Sequence, residues 1–215
     1  FREGCRNPES RQPAYTGGKW GGKFLRAPDI YWTIQQQGAG KLVRLGDLAD
    51  IRRGLTTGAN DFFHVQVLDV HNGIAHIRSK DGTEHMIESN YVQEPVLTKT
   101  REIVRPRVTV DDLEYRLAVL DEEAANKPYA ARYIRWGEAQ GFHRRATIKS
   151  RRPWWVIRVQ DYAAIAFPAA HKRRPVLALM DCDDEIHLDK RVYGVYPRRR
   201  EDALFIASSL CSTFG

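Results

Sequence analysis

Residues 62–87 read FFHVQVLDVHNGIAHIRSKDGTEHMI, and this stretch decides the fold. Apolar and polar residues alternate on both sides of Asn72-Gly73, a dipeptide that favours the tight turn of a β-hairpin because both residues tolerate a positive φ. Asp81-Gly82 has the same turn chemistry and precedes a further short strand-like segment. The pattern therefore predicts a β-hairpin that is extended by a third strand.

Short helices and further strands are predicted on either side of this meander. Tyr133 and Trp136 recur at helical spacing after Pro128, which suits the first turn of a helix. Helices are predicted over residues 27–36, 128–140 and 201–210, and short strands over residues 115–120, 154–159, 163–167, 176–180 and 191–196. Because no strand–helix–strand rhythm repeats, the sequence predicts one strand-rich α+β domain with short helices near the N-terminus, in the middle and near the C-terminus.

Some local patterns predict where individual side chains lie. Leu45, Leu48 and Ile51 recur at helical spacing. The neighbours Phe62 and Phe63 are expected on opposite faces of a strand, one of them in the core. The pair Trp154 and Trp155 is read in the same way, with one ring anchoring the core and the other supporting a basic loop. In the last helix Ala203, Leu204, Ile206, Ala207 and Leu210 are predicted to face inward.

The composition is that of a soluble globular chain with a basic balance. The chain has 34 Lys+Arg and 27 Asp+Glu, so the net charge is 34 − 27 = +7, and 42% of the residues are hydrophobic. No apolar run approaches the roughly 18 residues that a membrane-spanning helix needs. Cys5, Cys182 and Cys211 stand far apart without CxxC spacing, so neither a disulfide framework nor a zinc site is expected. We expect a cytoplasmic protein whose own chain binds no cofactor or metal.

The sequence lacks the catalytic motifs that we sought. Residues 17–24 resemble a phosphate-binding loop, but Phe24 stands where a Ser or Thr hydroxyl must reach magnesium. No lysine has Asp or Glu two places before it, as a restriction-type nuclease requires for its metal. No Pro-Pro pair occurs, so an Asn-Pro-Pro-aromatic loop for a flipped adenine is absent. We expect that this chain alone is not an enzyme; the alternative is a nuclease or hydrolase with an unrecognised motif.

Basic residues are clustered rather than evenly spread. Residues 141–160 contain six basic residues and no acid, and residues 171–174 read HKRR. Clustered Lys and Arg side chains neutralise phosphates and release counterions. The predicted DNA contacts in these clusters are Lys149, Arg151, Arg152, Lys172, Arg173 and Arg174. The alternatives are a solvated basic face and a basic protein-interaction module.

Two segments carry a family resemblance. Residues 19–32 read KWGGKFLRAPDIYW, and residues 41–65 read KLVRLGDLADIRRGLTTGANDFFHV. They resemble the target recognition domain of adenine-specific DNA methyltransferases of restriction-modification systems, the TaqI-like and Eco57I-like enzymes. The resemblance covers most of the chain, and the TTGxNDFF block is its most specific part. The catalytic half of those enzymes, with its methyl-donor site, has no counterpart here.

The resemblance implies a DNA-reading module whose reaction is carried out elsewhere in a longer parent. Residues 19–215 would form this recognition domain, and residues 1–18 would be a linker from the catalytic region. The implied partners are duplex DNA and the catalytic domain of the same parent chain, which would use S-adenosylmethionine, and no membrane. In the shared motif Thr56, Thr57 and Asn60 are candidate DNA contacts; a purely structural turn is the alternative.

Overall fold

A computed structural model of the protein describes residues 29–103, 105–169, 176–180 and 184–211. The chain divides into a first unit, Phe1–Arg44, and a second unit, Leu45–Gly215. Helix α1 (Asp29–Gln37) belongs to the first unit and ends where the Gly38 amide donates to the Ile34 carbonyl at 2.8 Å. This confirms the helix predicted near the N-terminus, whereas the predicted linker, residues 1–18, lies outside the described residues.

The second unit holds strands and further helices. Its described strands are β1 (Ala49–Arg53), β2 (His64–His71), β3 (Ile74–Ser79), β4 (Glu84–Glu88), β5 (Glu94–Leu97), β6 (Arg107–Val108), β7 (Tyr115–Leu117), β8 (Ile165–Pro168), β9 (Ala178–Met180), β10 (His187–Leu188) and β11 (Val192–Pro197). Its described α-helices are α2 (Leu45–Leu48), α3 (Asn60–Phe63), α4 (Pro128–Ala139) and α5 (Ala203–Cys211). Short 3-10 helices span Ser89–Tyr91, Thr100–Glu102, Val110–Asp112, Glu122–Asn126, Phe142–Arg144 and Arg200–Asp202.

In the described part of the chain these strands form two mixed sheets. One sheet has five strands in the order β1-β11-β8-β9-β6, and the other has six in the order β10-β5-β7-β2-β3-β4. The pairs β5–β10 and β6–β9 are parallel, and the other pairs are antiparallel. The strand-rich α+β fold predicted from the sequence is confirmed, with helices near both ends and in the middle.

The predicted meander is present as β2, β3 and β4. Asn72 (φ 50°) and Gly73 (φ 78°) form the first tight turn, and Gly82 (φ 90°) lies in the second. The turn places His71 opposite Ile74 and thereby sets the register of the hairpin. Every second residue of β3 is buried, so one face of the meander packs against the core.

A hydrophobic core lies between the meander and α4. The Tyr133 ring stacks on the Phe62 ring with 4.5 Å between centroids, and its hydroxyl donates to the Phe62 carbonyl at 2.6 Å. A Cβ at Gly137 would lie 2.8 Å from the Phe62 ring and 2.7 Å from the Trp154 ring, so α4 can approach this closely only because the residue is glycine. The helix thus fixes two aromatic rings of the core at once.

The prediction that Phe62 and Phe63 alternate between faces is wrong. Both side chains are fully buried at 0% exposure. The reason is α3, a single helical turn that directs both rings inward before β2 begins at His64. The motif therefore contributes two residues to the core where alternation predicted one.

The other local predictions have mixed outcomes. The helical spacing does not continue to Ile51, which lies in β1 and pairs with Val195 of β11. The strand predicted over residues 154–159 is absent. In this segment the structure has an isolated β-bridge between Val156 and Leu120. In both places pairing and packing with distant residues override the local pattern.

Helix α5 buries a narrower face than the sequence predicts. Ile206 and Ala207 are buried as predicted, whereas Leu204 is 65% exposed and its neighbour Phe205 is 66% exposed. The prediction for Leu204 is wrong because the buried stripe of this short helix does not reach it. No helix within the described residues has the length and apolar character to cross a membrane.

Candidate nucleic-acid interface

The turn at residues 56–60 is held by hydrogen bonds inside the protein. Thr56 is exposed, whereas Thr57 is fully buried and its hydroxyl donates to Asn60 Oδ1. The half-buried Asn60 amide donates in turn to the Asp189 carboxylate at 2.8 Å. Because the Thr57 hydroxyl is buried and bonded, it cannot reach a phosphate in this arrangement. Thr57 and Asn60 thus have a structural role in the turn, and their contact with DNA stays a prediction.

Arginines from the basic segment brace the same turn. Gly58 has a φ of +86°, and a Cβ there would lie 2.6 Å from Ile148. The Arg145 guanidinium donates to the Gly58 carbonyl at 3.5 Å, and Arg151 donates to the Thr57 carbonyl at 3.2 Å. Part of the basic segment therefore holds the turn in place.

Asp189 is a fully buried carboxylate that anchors the turn. Its Oδ1 accepts from the Arg191 backbone amide and from Arg191 Nε, each at 3.1 Å. His64, 1% exposed, has Nε2 3.9 Å from Asp189 Oδ2. Burial lowers the pKa of His64 from 6.5 to about 4, so this imidazole is neutral at pH 7. No sequence motif marks Asp189, whereas His64 directly follows the motif block. The described residues contain no cluster of His, Cys, Asp and Glu suited to a metal.

An open cleft of about 780 Å³ lies beside the turn, and we call it the arginine cleft. Four arginines line it: Arg53, Arg151, Arg152 and Arg158. Glu122 is the acid among its lining residues, Thr56 and Gln160 add neutral polar groups, and Leu55, Val156 and Ile157 are among its apolar residues. Cations that converge on a concave surface focus a positive potential, which attracts polyanions.

Backbone carbonyls hold part of the cleft's charge in position. Arg53 Nε donates to the Lys190 carbonyl at 2.6 Å. Arg152 Nη1 donates to the carbonyls of Lys149 at 2.7 Å and Arg151 at 2.8 Å. Arginines that are ordered beforehand lose less conformational entropy when they bind an anion.

The two neighbouring tryptophans attach the basic segment to other parts of the protein. Trp154 is buried and its Nε1 donates to Glu138 of α4 at 3.2 Å, so it anchors the core as predicted for one member of the pair. Trp155 is partly exposed, and its Nε1 donates to the Asp121 carbonyl at 3.0 Å. That bond attaches the basic segment to the residue that precedes Glu122. Trp155 thus joins two elements of the cleft, and Trp154 attaches the same segment to α4. Neither tryptophan lies on a strand.

The structure brings together part of the predicted contact set. Thr56, Arg151 and Arg152 line the arginine cleft. Lys149 is exposed outside the lining, although its carbonyl holds Arg152. The remaining predicted contacts, Lys172, Arg173 and Arg174, lie outside the described residues. For every residue of the predicted set, contact with DNA stays a prediction.

The predicted DNA contacts lack four polar lining residues of the cleft: Arg53, Glu122, Arg158 and Gln160. Arg53 ends β1 immediately before the Gly54 of the motif, so its position beside Thr56 was a usable signal. Glu122 begins a 3-10 helix that lies outside the basic segment in sequence. Nothing in the sequence indicates that the two are close in space. Tertiary structure alone brings Glu122 to the cleft.

Comparison with known proteins identifies the family. No curated protein matches the chain. The crystal structure of the type IIG restriction endonuclease BpuSI is similar, with a TM-score of 0.48 and 15% identity; the match covers 87% of this chain and 23% of that one. This chain therefore spans about 23% of the length of that enzyme. The family model described as type II methyltransferase M.Eco57I, C-terminal domain, matches residues 17–214. The chain accordingly belongs to the family of M.Eco57I-type type II methyltransferase C-terminal domains.

Proposed function

We propose that this chain recognises a specific sequence in duplex DNA and presents the target adenine to the catalytic domain of the same parent methyltransferase. Its family supports a role in restriction and modification. The arginine cleft is the observation that carries DNA binding, because four guanidiniums converge on it. Duplex DNA carries about one charge per 1.7 Å of helix axis, so its phosphates suit such a surface.

The cleft contains groups for two kinds of DNA contact. Arg53 and Arg152 are held by backbone carbonyls and are suited to fixed phosphate positions. The side chains of Glu122 and Gln160 have no hydrogen-bond or ion-pair partner among the described residues. A carboxylate accepts from the cytosine amine, and a glutamine amide can pair with the adenine edge. We assign phosphate binding to the first pair and base reading to the second.

The methyl donor belongs to another part of the parent protein in this proposal. S-adenosylmethionine carries a sulfonium cation, and the four guanidiniums of the arginine cleft would repel a cation. The cleft residues do not fit the donor. The contribution of this chain is therefore to bind and orient DNA.

Salt-dependent binding to a labelled mixed-sequence duplex tests the proposal. If Arg151 and Arg158 each contact a phosphate as well as Arg53 and Arg152, four contacts give a slope of about −3.6 in log K against log salt. Affinity should then fall by about two powers of ten between about 50 and 200 mM salt. Arg152→Ala should reduce the slope by about 0.9, because it removes one contact. Fluorescence anisotropy measures both quantities.

The matched control is Arg78→Ala, which removes an arginine that lies on β3 and pairs with Glu84 at 2.7 Å. It should leave the salt slope at the wild-type value, because Arg78 does not line the cleft. An affinity that is flat with salt would contradict DNA binding through phosphates. Equal slopes for the two variants would show that the arginine cleft is not the interface.

A further inference from the structure

Two lysines lie beside the Tyr115 ring, and an arginine is linked to one of them through His64 and Asp189. All three cations lie outside the lining of the arginine cleft. We call Lys80, Lys99 and Arg191 the lysine cluster. Lys80 Nζ lies 5.0 Å and Lys99 Nζ 5.5 Å from the centroid of the Tyr115 ring. Lys80 follows β3, Lys99 follows β5 and Arg191 precedes β11, so separate strands bring these charges together.

Lys80 is the member of the cluster without an anionic partner. Its side chain is half-buried, and its Nζ has the His64 Nδ1 as a hydrogen-bonding neighbour at 3.5 Å. Within the described residues no carboxylate lies within ion-pairing distance of this ammonium. An ammonium has three N–H donors, and a single long contact to a neutral imidazole satisfies at most one of them.

The acids around Lys80 are already engaged. The Asp189 carboxylate accepts from Asn60 and Arg191, and Asp61 pairs with Arg145 at 3.3 Å. Lys99, by contrast, has its own carboxylate partner, Glu114, at 3.7 Å. Lys80 therefore competes with other cations and amides for every nearby negative charge.

The surroundings of Lys80 disfavour its charged form in the unliganded protein. Burial, followed by the positive charge of Arg191, lowers the pKa of Lys80 below its ordinary 10.5, and Lys99 acts in the same direction. A cation that is partly removed from water without a partner is stabilised when an anion occupies the site. The cluster thus has a specific reason to bind a negative ligand.

We propose that Lys80, Lys99 and Arg191 form a second anion site, which binds an oxyanion of the phosphate class. A tetrahedral oxyanion has enough acceptors for several converging donors, whereas a chloride ion would leave the ammonium and guanidinium geometry unused. The assignment goes beyond the proposed DNA recognition, because a free phosphate satisfies it as well as a phosphodiester does.

The backbone connects this site to the arginine cleft. The Lys190 carbonyl accepts from Arg53 of the cleft, and the next residue, Arg191, belongs to the lysine cluster. A phosphodiester backbone that leaves the cleft past Lys190 would therefore meet the second site. In that case both sites would bind phosphates of the same DNA.

The titration of Lys80 itself tests the anion site. Reductive methylation of the whole chain with ¹³C-formaldehyde gives each lysine an NMR signal, and Lys80→Arg identifies the signal of Lys80. We expect inorganic phosphate to raise the pKa of Lys80 by about one unit, because an opposite charge within about 4–6 Å has an effect of this size. A short duplex should have the same effect where the phosphodiester of DNA is the natural ligand.

Thermal unfolding of unmethylated protein provides a second measurement. Phosphate should raise the Tm less in Lys80→Met than in the wild type, because ligand binding to the folded state stabilises it. Lys127→Met, an exposed lysine immediately before α4, should retain the full increment. Lys80→Met without phosphate should be at least as stable as the wild type, since it removes a poorly paired, half-buried charge.

Each outcome has a defined meaning. A pKa of Lys80 that neither phosphate nor duplex moves would overturn the second anion site, as would a full phosphate increment in Lys80→Met. A rise with phosphate in a protein that binds no duplex would support the site and contradict the proposed function. A rise with duplex alone would show that the site does not bind free phosphate and would contradict its extension beyond the proposed DNA recognition.

Discussion

Asn60→Ala separates the structural role of the motif turn from a role in DNA contact. The substitution removes the acceptor of the buried Thr57 hydroxyl and one donor to the buried Asp189 carboxylate. An unsatisfied buried group costs about 1–3 kcal/mol, and a hydrogen bond to a charged group contributes about 1.5–3 kcal/mol. Because Asp189 keeps its bonds to Arg191, we expect a total loss of about 3 kcal/mol, near the lower part of that combined range.

Urea unfolding of the purified chain measures this loss. In a separate thermal unfolding experiment, the Tm of a unit of this size should fall by about 6–12 °C, at about 2–4 °C per kcal/mol. The matched control for stability is Thr56→Ala at the exposed neighbouring position, which should change the unfolding free energy by less than about 0.5 kcal/mol. Well below its Tm, Asn60→Ala should bind duplex DNA with the wild-type salt slope.

The opposite result would refute the reasoning. Unchanged stability combined with weaker DNA binding would mean that Asn60 contacts DNA, as the sequence alone allowed. The hydrogen bonds to Thr57 and Asp189 would then be incidental to folding.

Three further predictions concern single side chains. In urea unfolding, Gly82→Ala should lower the free energy of unfolding by about 1–2 kcal/mol, because its backbone is left-handed. Gly58→Ala should lower it by about 2–4 kcal/mol, because the added Cβ also meets Ile148. Equal losses would contradict the close packing at Gly58. His64 has a folded-state pKa of about 4 against 6.5 in the unfolded chain, so on acidification the unfolded state binds the proton first. The free energy of unfolding should therefore fall by up to about 3 kcal/mol as the pH drops from 6.5 to 4. His64→Gln should flatten this pH dependence. Glu122→Gln should change the preferred base at one position in a selection from random duplexes while raising overall affinity; an unchanged ranking would remove Glu122 from base reading.

The sequence predicted the meander well because its determinants are local. Asn72 and Gly73 set the turn, and alternation along the neighbouring strand sets the buried face. The prediction failed at Phe62 and Phe63 because α3 begins at Asn60, whose amide bonds to Asp189, 129 residues further along the chain. A local pattern contains no information about such a partner.

The strand predicted over residues 154–159 failed for a related reason. Tryptophans are enriched in strands because they pack well on half-buried sheet surfaces, so their presence indicates packing more directly than it indicates backbone conformation. Trp154 satisfies that tendency by packing 4.7 Å from Phe62, between ring centroids, without joining a ladder. The prediction that one tryptophan anchors the core held because it concerned packing.

The same distinction explains which parts of the candidate site could be found. The motif turn has a sequence signature, because a hydroxyl, a glycine and an amide must follow one another within a few residues to make it. A concave charged surface has no such signature, because its members are brought together by contacts such as the bridge between Leu120 and Val156. A run of basic residues reveals Arg151 and Arg152 but cannot show that the first also braces the turn or that Glu122 lines the same cleft. The motif turn therefore holds the scaffold, whereas the cleft combines residues that the sequence reveals with Arg53 and Glu122, which only the fold brings to them.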